Sequence, residues 1–105
     1  TDLSLVGTPA FVAPEVLRRE KYGAEADVWS FGCVLVHMAC RTPPFASTMR
    51  RSPKELMQRV MRAELHPTSD VPSEADWPDE VRRMAEECVA LQPSNRPPFE
   101  DLVTE

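Results

Sequence analysis

Glycine is scarce in this chain of 105 residues, with copies only at Gly7, Gly23 and Gly32. A phosphate-binding loop of the form Gly-x-Gly-x-x-Gly needs three glycines close together, so the chain cannot form one. Its three cysteines make no Cys-x-x-Cys pair. That spacing argues against a disulfide framework or a zinc site and favours a reducing, cytoplasmic or otherwise intracellular compartment. The two histidines, His37 and His66, have no companions at ligand spacing, so we expect no metal site.

Basic charge and long apolar runs are lacking as well. The formal net charge of -5 argues against general nucleic-acid binding, which normally needs a basic surface. The most apolar stretch, residues 26–40, would span roughly 22 Å as a helix, short of the ~30 Å hydrocarbon core of a bilayer. Asp27, Ser30 and His37 also interrupt this stretch. We therefore expect a buried core helix and no membrane segment.

Helix signals follow one another along the chain and predict an all-α fold. Residues 1–14 lack a helical period and contain two prolines, so they are predicted to form an extended loop. Ser52 has proline after it and glutamate three positions on, as a helix N-cap does. Helices are predicted over about residues 14–19, 24–40, 52–62 and 81–89, and from 99 onward. The loops between them include residues 64–78 and 92–98.

Three short motifs and one arginine carry the functional signal. Gly-Thr-Pro at residues 7–9 precedes Ala-Pro-Glu at 13–15, Asp-Val-Trp-Ser-Phe-Gly follows at 27–32, and Arg96 lies between prolines and polar residues near the end. In this order the motifs resemble the C-terminal lobe of a eukaryotic-type protein kinase catalytic domain, and the resemblance covers nearly the whole chain. The ending, residues 88–99, is most similar to the tyrosine-kinase-like group. Gly-Thr-Pro is typical of serine/threonine specificity.

The resemblance implies an incomplete domain. Residues 1–15 would be the end of the activation segment, and residues 16–105 the helical C-lobe. The parent enzyme would use ATP and magnesium to phosphorylate a protein substrate. Neither of the two lysines lies in a strand and neither histidine precedes Arg-Asp, so the N-terminal lobe and the catalytic loop are absent. This chain alone, without the upstream part of the domain as its partner, is expected to be inactive.

Substrate-binding roles are implied for the first motif. The hydroxyl of Thr8 would orient the acceptor site through the catalytic loop; alternatively, it only stabilises a turn before Pro9. Pro9, Ala10, Phe11 and Val12 would form the shelf that receives the substrate residue after the phospho-acceptor, a group that we call the substrate shelf. Phe11 would alternatively be a core residue, and the two roles are compatible.

Structural roles are implied for a second group of residues. Glu15 and Arg96 would form a buried salt bridge that pins the activation segment, unless both are solvated surface charges. Asp27 would accept hydrogen bonds from the absent catalytic loop, or would complement the helix dipole. Gly32 would let another element approach closely. The full set of structural anchors is Gly7, Ala13, Pro14, Glu15, Asp27, Trp29, Gly32 and Arg96.

Other positions leave two readings open. Ser4 lies three residues before Gly7, where phosphorylation would order the segment; it is equally an ordinary loop serine. The basic residues around Ser52 form either a docking surface or a solvated helix face. Residues 30–32, Ser-Phe-Gly, lack the aspartate that binds metal in Asp-Phe-Gly. For the whole protein, the alternatives to an active kinase are a pseudokinase scaffold and an unrelated helical interaction module.

Overall fold

Helices dominate the computed structural model, which describes residues 11–69, 71–72 and 75–103. No strand occurs among these residues, and the all-α prediction is confirmed. The helices are α1 (Pro14–Leu17), α2 (Ala24–Cys40), α3 (Ala46–Arg51), α4 (Pro53–Met61), α5 (Asp79–Cys88) and α6 (Phe99–Val103). A 3₁₀ turn, Pro93–Asn95, lies between α5 and α6. In the part of the chain that is described, no helix combines the length and apolarity needed to cross a membrane.

The long helix α2 runs through the centre of the fold. Trp29 and Cys33 on this helix have no exposed surface. Around them packs a cluster of buried apolar side chains from the first turn of α2, the start of α1, the turn before α3, α4 and the end of α5. Its members are Ala13, Ala26, Phe45, Leu56, Val60 and Val89. Burial of these side chains is the main favourable term that joins the helices.

The opposite side of α2 is uncovered. Val34 is 39% exposed and Met38 is 70% exposed. The apolar residues all round this helix predict that protein surrounds it, yet the described residues cover only part of its circumference. An exposed apolar strip of this kind is typical of a surface that meets other protein.

Helix α3 was not predicted from the sequence, which indicated no regular element between Cys40 and Ser52. The helix has no apolar period, and it begins after Phe45, a buried residue with a left-handed φ of 61°. A single residue, Ser52, separates it from α4. The Oγ of Ser52 accepts a hydrogen bond from the backbone N–H of Glu55 at 3.1 Å, which confirms the predicted N-cap.

Helices α2 and α5 meet at Gly32. A Cβ atom at this position would lie 2.7 Å from Cys88 Cβ and 2.7 Å from Val89 Cγ1. Real Cβ atoms do not approach other carbons so closely, so only glycine fits without a shift of one helix. Gly32 therefore sets the distance between the two helices.

Replacing Gly32 with alanine should lower the free energy of unfolding of the protein that carries this chain. We expect a loss of ~1–3 kcal/mol, because overpacking forces α5 away from α2. Urea unfolding would measure it. Gly23→Ala is the matched control, since its Cβ would meet only the end of the flexible Glu25 side chain, at 3.2 Å. Equal stability of the two variants would contradict close packing at Gly32.

Candidate functional site

The candidate site is the segment that leads into α1. Of its predicted residues, Ser4, Gly7, Thr8, Pro9 and Ala10 lie outside the described residues. Phe11 and Val12 are half-buried, and Ala13, Pro14 and Glu15 are buried. Ala13 has an extended backbone with φ -67° and ψ 149°, as expected for a residue before proline. Pro14 then begins α1, where a missing N–H costs nothing.

Glu15 forms a buried salt bridge with Arg96. Nη1 of Arg96 lies 2.6 Å from Oε2 of Glu15, and Nη2 lies 3.0 Å from Oε1. The arginine side chain is fully buried, and the glutamate side chain is 3% exposed. The two residues are 81 positions apart, so this contact joins the segment to the far end of the chain. The alternative of two solvated charges is wrong.

The remaining N–H groups of Arg96 bind backbone carbonyls. Nε donates to Ala90 O at 2.8 Å, Nη1 to Glu25 O at 2.9 Å, and Nη2 to Leu91 O at 3.4 Å. A guanidinium carries five N–H groups, and each therefore has an acceptor here. Arg96 thus ties α1, the start of α2 and the loop after α5 together at one point.

The Trp29 ring packs against the guanidinium of this ion pair. The guanidinium carbon of Arg96 lies 5.0 Å from the centroid of the Trp29 ring, a cation–π geometry. The ring is fully buried, and its Nε1 has no hydrogen-bond partner among the described residues. Arginine suits this position better than lysine, because its planar guanidinium can stack on an aromatic ring.

Phe11 is held from α2 at two points. The Oγ of Ser30 donates to the backbone carbonyl of Phe11 at 2.7 Å. The Phe11 ring lies 6.1 Å from the His37 ring, at an angle of 57°, and packs against the hydrophobic core. Phe11 is therefore half-buried and packed against the core in this structure.

Asp27 lies at the surface in the first turn of α2. Its carboxylate makes no hydrogen bond to another described residue, so its ionised form is solvated and needs no buried partner. The exposed Val34 and Met38 follow seven and eleven positions later on the same face of the helix. Asp27 and the exposed apolar strip thus form one continuous surface.

His66 has a structural role that the sequence did not reveal. Its Nε2 lies 2.7 Å from Val89 O, and its Nδ1 lies 2.8 Å from Thr68 Oγ1. The ring also forms a T-shaped contact with the Trp29 ring, with centroids 5.9 Å apart. Both ring nitrogens are engaged. His66 thereby joins the loop after α4 to the end of α5.

The basic residues around Ser52 are partly neutralised by one carboxylate. Glu55 lies 3.0 Å from Arg51, the last residue of α3, and 3.6 Å from Arg59, one turn further along α4. The Arg51 side chain lowers the pKa of Glu55, chiefly through its hydrogen bond. These pairs favour the solvated helix face over a docking surface.

The three cysteines are free thiols. Burial raises the pKa of Cys88 from 9.0 to about 11, and burial likewise raises the pKa values of Cys33 and Cys40. A thiol reacts as its thiolate, so none of the three is suited to act as a nucleophile at neutral pH. Within the described residues, no group of three His, Cys, Asp or Glu side chains is placed to hold a metal ion.

Comparison with known proteins identifies relatives over almost the whole chain. The profile of the family described as "Protein kinase domain" matches residues 2–105. Mitogen-activated protein kinase kinase kinase 1 of Mus musculus is 39% identical over 99 residues, which is 94% of this chain and 6% of that protein. Serine/threonine-protein kinase ATG1 of Candida glabrata is 34% identical over 94% of this chain and 10% of its own length.

A third relative is the G2-specific protein kinase nimA of Emericella nidulans. It is 30% identical over 93% of this chain and 13% of its own length. In each comparison the chain spans a small part of the curated relative that it matches.

Removal of the Arg96 side chain should strongly destabilise the protein that carries this chain. Arg96→Ala leaves the Glu15 carboxylate buried without a partner, which costs ~3–5 kcal/mol. The melting temperature should fall by several degrees. Arg82→Ala is the control, because Arg82 pairs with Asp79 and Glu86 at the surface, where such pairs contribute little. If both variants melt at the wild-type temperature, the bridge does not hold the fold.

Alkylation of the folded protein should distinguish the thiols. At about pH 8, iodoacetamide should modify the half-buried Cys40 before Cys33 and Cys88, which should react only in denaturant. Burial raises the pKa of the Cys88 thiol from 9.0 in the unfolded chain to about 11, because the folded protein favours the neutral thiol. The free energy of unfolding therefore contains this preference in full below pH 9.0 and loses it as the pH rises to about 11. Mass spectrometry of the labelled peptides gives the order. Early modification of Cys33 would contradict its burial.

Proposed function

Because the chain belongs to the protein kinase domain family, we propose that it is the substrate-supporting part of a serine/threonine protein kinase. It is an incomplete, all-α C-lobe of such a domain. We assign residues 1–15 to the end of the activation segment and residues 16–105 to the helical lobe. The observation that carries this proposal is the buried contact of Arg96 with Glu15, which fastens that segment to the lobe.

The chemistry proposed for the parent enzyme is transfer of the γ-phosphoryl group of ATP to a serine or threonine of a protein substrate. ATP and Mg²⁺ would supply the phosphoryl donor and neutralise its charge. The described residues offer no cluster of ligands for Mg²⁺, and the three dispersed glycines of the sequence form no phosphate-binding loop for ATP. We therefore assign this chain no step that involves them. Its part in the reaction is to position the acceptor.

The uncovered side of α2 is evidence for the proposal that the parent domain is larger than this chain. Exposed Val34 and Met38 need an apolar partner, and the solvated carboxylate of Asp27 beside them needs hydrogen-bond donors if that side becomes buried. We propose that the catalytic loop of the parent domain covers this surface. Its backbone N–H groups would then donate to Asp27.

The finer assignments extend this proposal. Thr8 would orient the acceptor hydroxyl, residues 9–12 would support the substrate residue after it, and Ser4 would be a phosphorylation site that orders the segment. The ending at residues 88–99 favours the tyrosine-kinase-like group. The free thiols fit a parent enzyme in a reducing, intracellular compartment.

A transfer assay on the full-length protein that carries this chain tests the proposal. The wild type should transfer phosphate from labelled ATP to serine and threonine peptides. Thr8→Ala should lower kcat by about tenfold or more, because a misplaced acceptor slows the transfer. Thr42→Ala is the control, since Thr42 lies in the exposed turn after α2.

Two outcomes would contradict the proposal. A wild-type protein that binds partners but transfers no phosphate would be a pseudokinase scaffold. Equal kcat for the Thr8 and Thr42 variants would remove Thr8 from the acceptor site while leaving kinase activity in place.

A further inference from the structure

We propose that Ser30 is a positioning residue that sets the substrate shelf against α2, and that it thereby influences which residue is accepted after the phospho-acceptor. This inference rests on the proposed function. It assigns a role to Ser30, for which the sequence had indicated only a position within the long helix.

The hydrogen bond from Ser30 to Phe11 carries the inference. The Oγ of Ser30 is 2.7 Å from Phe11 O and 3.3 Å from Ala26 O. A serine hydroxyl has one proton to donate, and the shorter distance assigns that proton to Phe11. Ala26 O lies in the regular ladder of α2, where the helix backbone already supplies a donor. Phe11 O lies outside α1 and α2, and among the described residues its donor is the Ser30 hydroxyl.

His37 supports the same residue two turns further along α2. Residues 30 and 37 lie on one face of the helix, and the rings of His37 and Phe11 are 6.1 Å apart. Ser30 thus holds the backbone of Phe11, while His37 and the core hold its ring. The carbonyl oxygen and the ring of Phe11 are thus both in contact with α2.

The hold on Phe11 complements the hold on Glu15. Three residues separate these two points, and Ala13 among them is buried and extended. A short segment fastened at both ends has little freedom to shift along α2. Residues 9–12 continue directly from the Ser30 contact, so a change there should alter the substrate shelf more than any site for ATP.

The test compares Ser30→Ala with wild type in the full-length kinase. We expect kcat/KM to fall by about three- to tenfold for peptides with the preferred residue after the acceptor, as one lost hydrogen bond implies. Preference among residues at that peptide position should weaken, and KM for ATP should stay within about twofold. Ser30→Thr keeps the hydroxyl and should restore both values. Ser47→Ala, at an exposed position of α3, is the matched control.

Hydrogen exchange gives a readout that needs no activity. Amides in the peptide that covers residues 9–15 should exchange faster in Ser30→Ala than in wild type or Ser47→Ala. Alanine is a good helix former, so α2 itself should remain protected.

The outcomes separate the two proposals. Unchanged exchange in Ser30→Ala overturns the inference, whether or not the enzyme is active. Faster exchange with unchanged peptide preference overturns the specificity role. A wild-type protein without transferase activity overturns the proposed function, while the exchange data still decide whether Ser30 holds Phe11.

Discussion

Two opposite charges, on Glu15 and Arg96, lie almost entirely out of water, and this burial constrains everything around them. An ion removed from water is stable only if hydrogen bonds to protein groups replace those it made to water. Arg96 does so with two carboxylate oxygens and three carbonyls. Those carbonyls belong to the start of α2 and the loop after α5, so neither element can move without leaving an N–H unpaired. The path of the chain from α5 to α6 is therefore fixed by the position of α1.

Close packing transmits this constraint through α2. Gly32 lets α5 approach within van der Waals contact, and Trp29 lies under the Arg96 guanidinium one turn earlier. His66 then joins the Trp29 ring to the carbonyl of Val89. Three sides of α2 are occupied by these contacts and the core. The fourth side, with Asp27, Val34 and Met38, is exposed.

Local signals predicted much of this fold. The bounds of α2 follow from its apolar composition and the breaks on either side, and the cap of α4 follows from Ser52 and Pro53. Helix α3 was missed because its sequence has no apolar period and its position depends on a buried Phe45. The bridge of Glu15 with Arg96 came from the family resemblance, since 81 intervening residues leave no local pattern. The contacts of Ser30 with Phe11 and of His66 with Val89 were missed for the same reason: each joins separate elements.

Stability alone does not explain why an ion pair occupies this position. A well-packed apolar pair of similar size is often as stable as a buried salt bridge, and it would be simpler to bury. An apolar contact, however, tolerates rotation and sliding, whereas the bidentate contact fixes both the angle and the register of the glutamate. Val12, the last residue of the segment proposed to support substrate, lies three positions before Glu15, so the register of Glu15 constrains where that segment ends. With Phe11 held by Ser30 and Glu15 held by Arg96, the segment between them is defined at both ends. We infer that the main role of the bridge is to orient Glu15 and the segment before it. The free energy of the buried contact keeps the segment in that orientation.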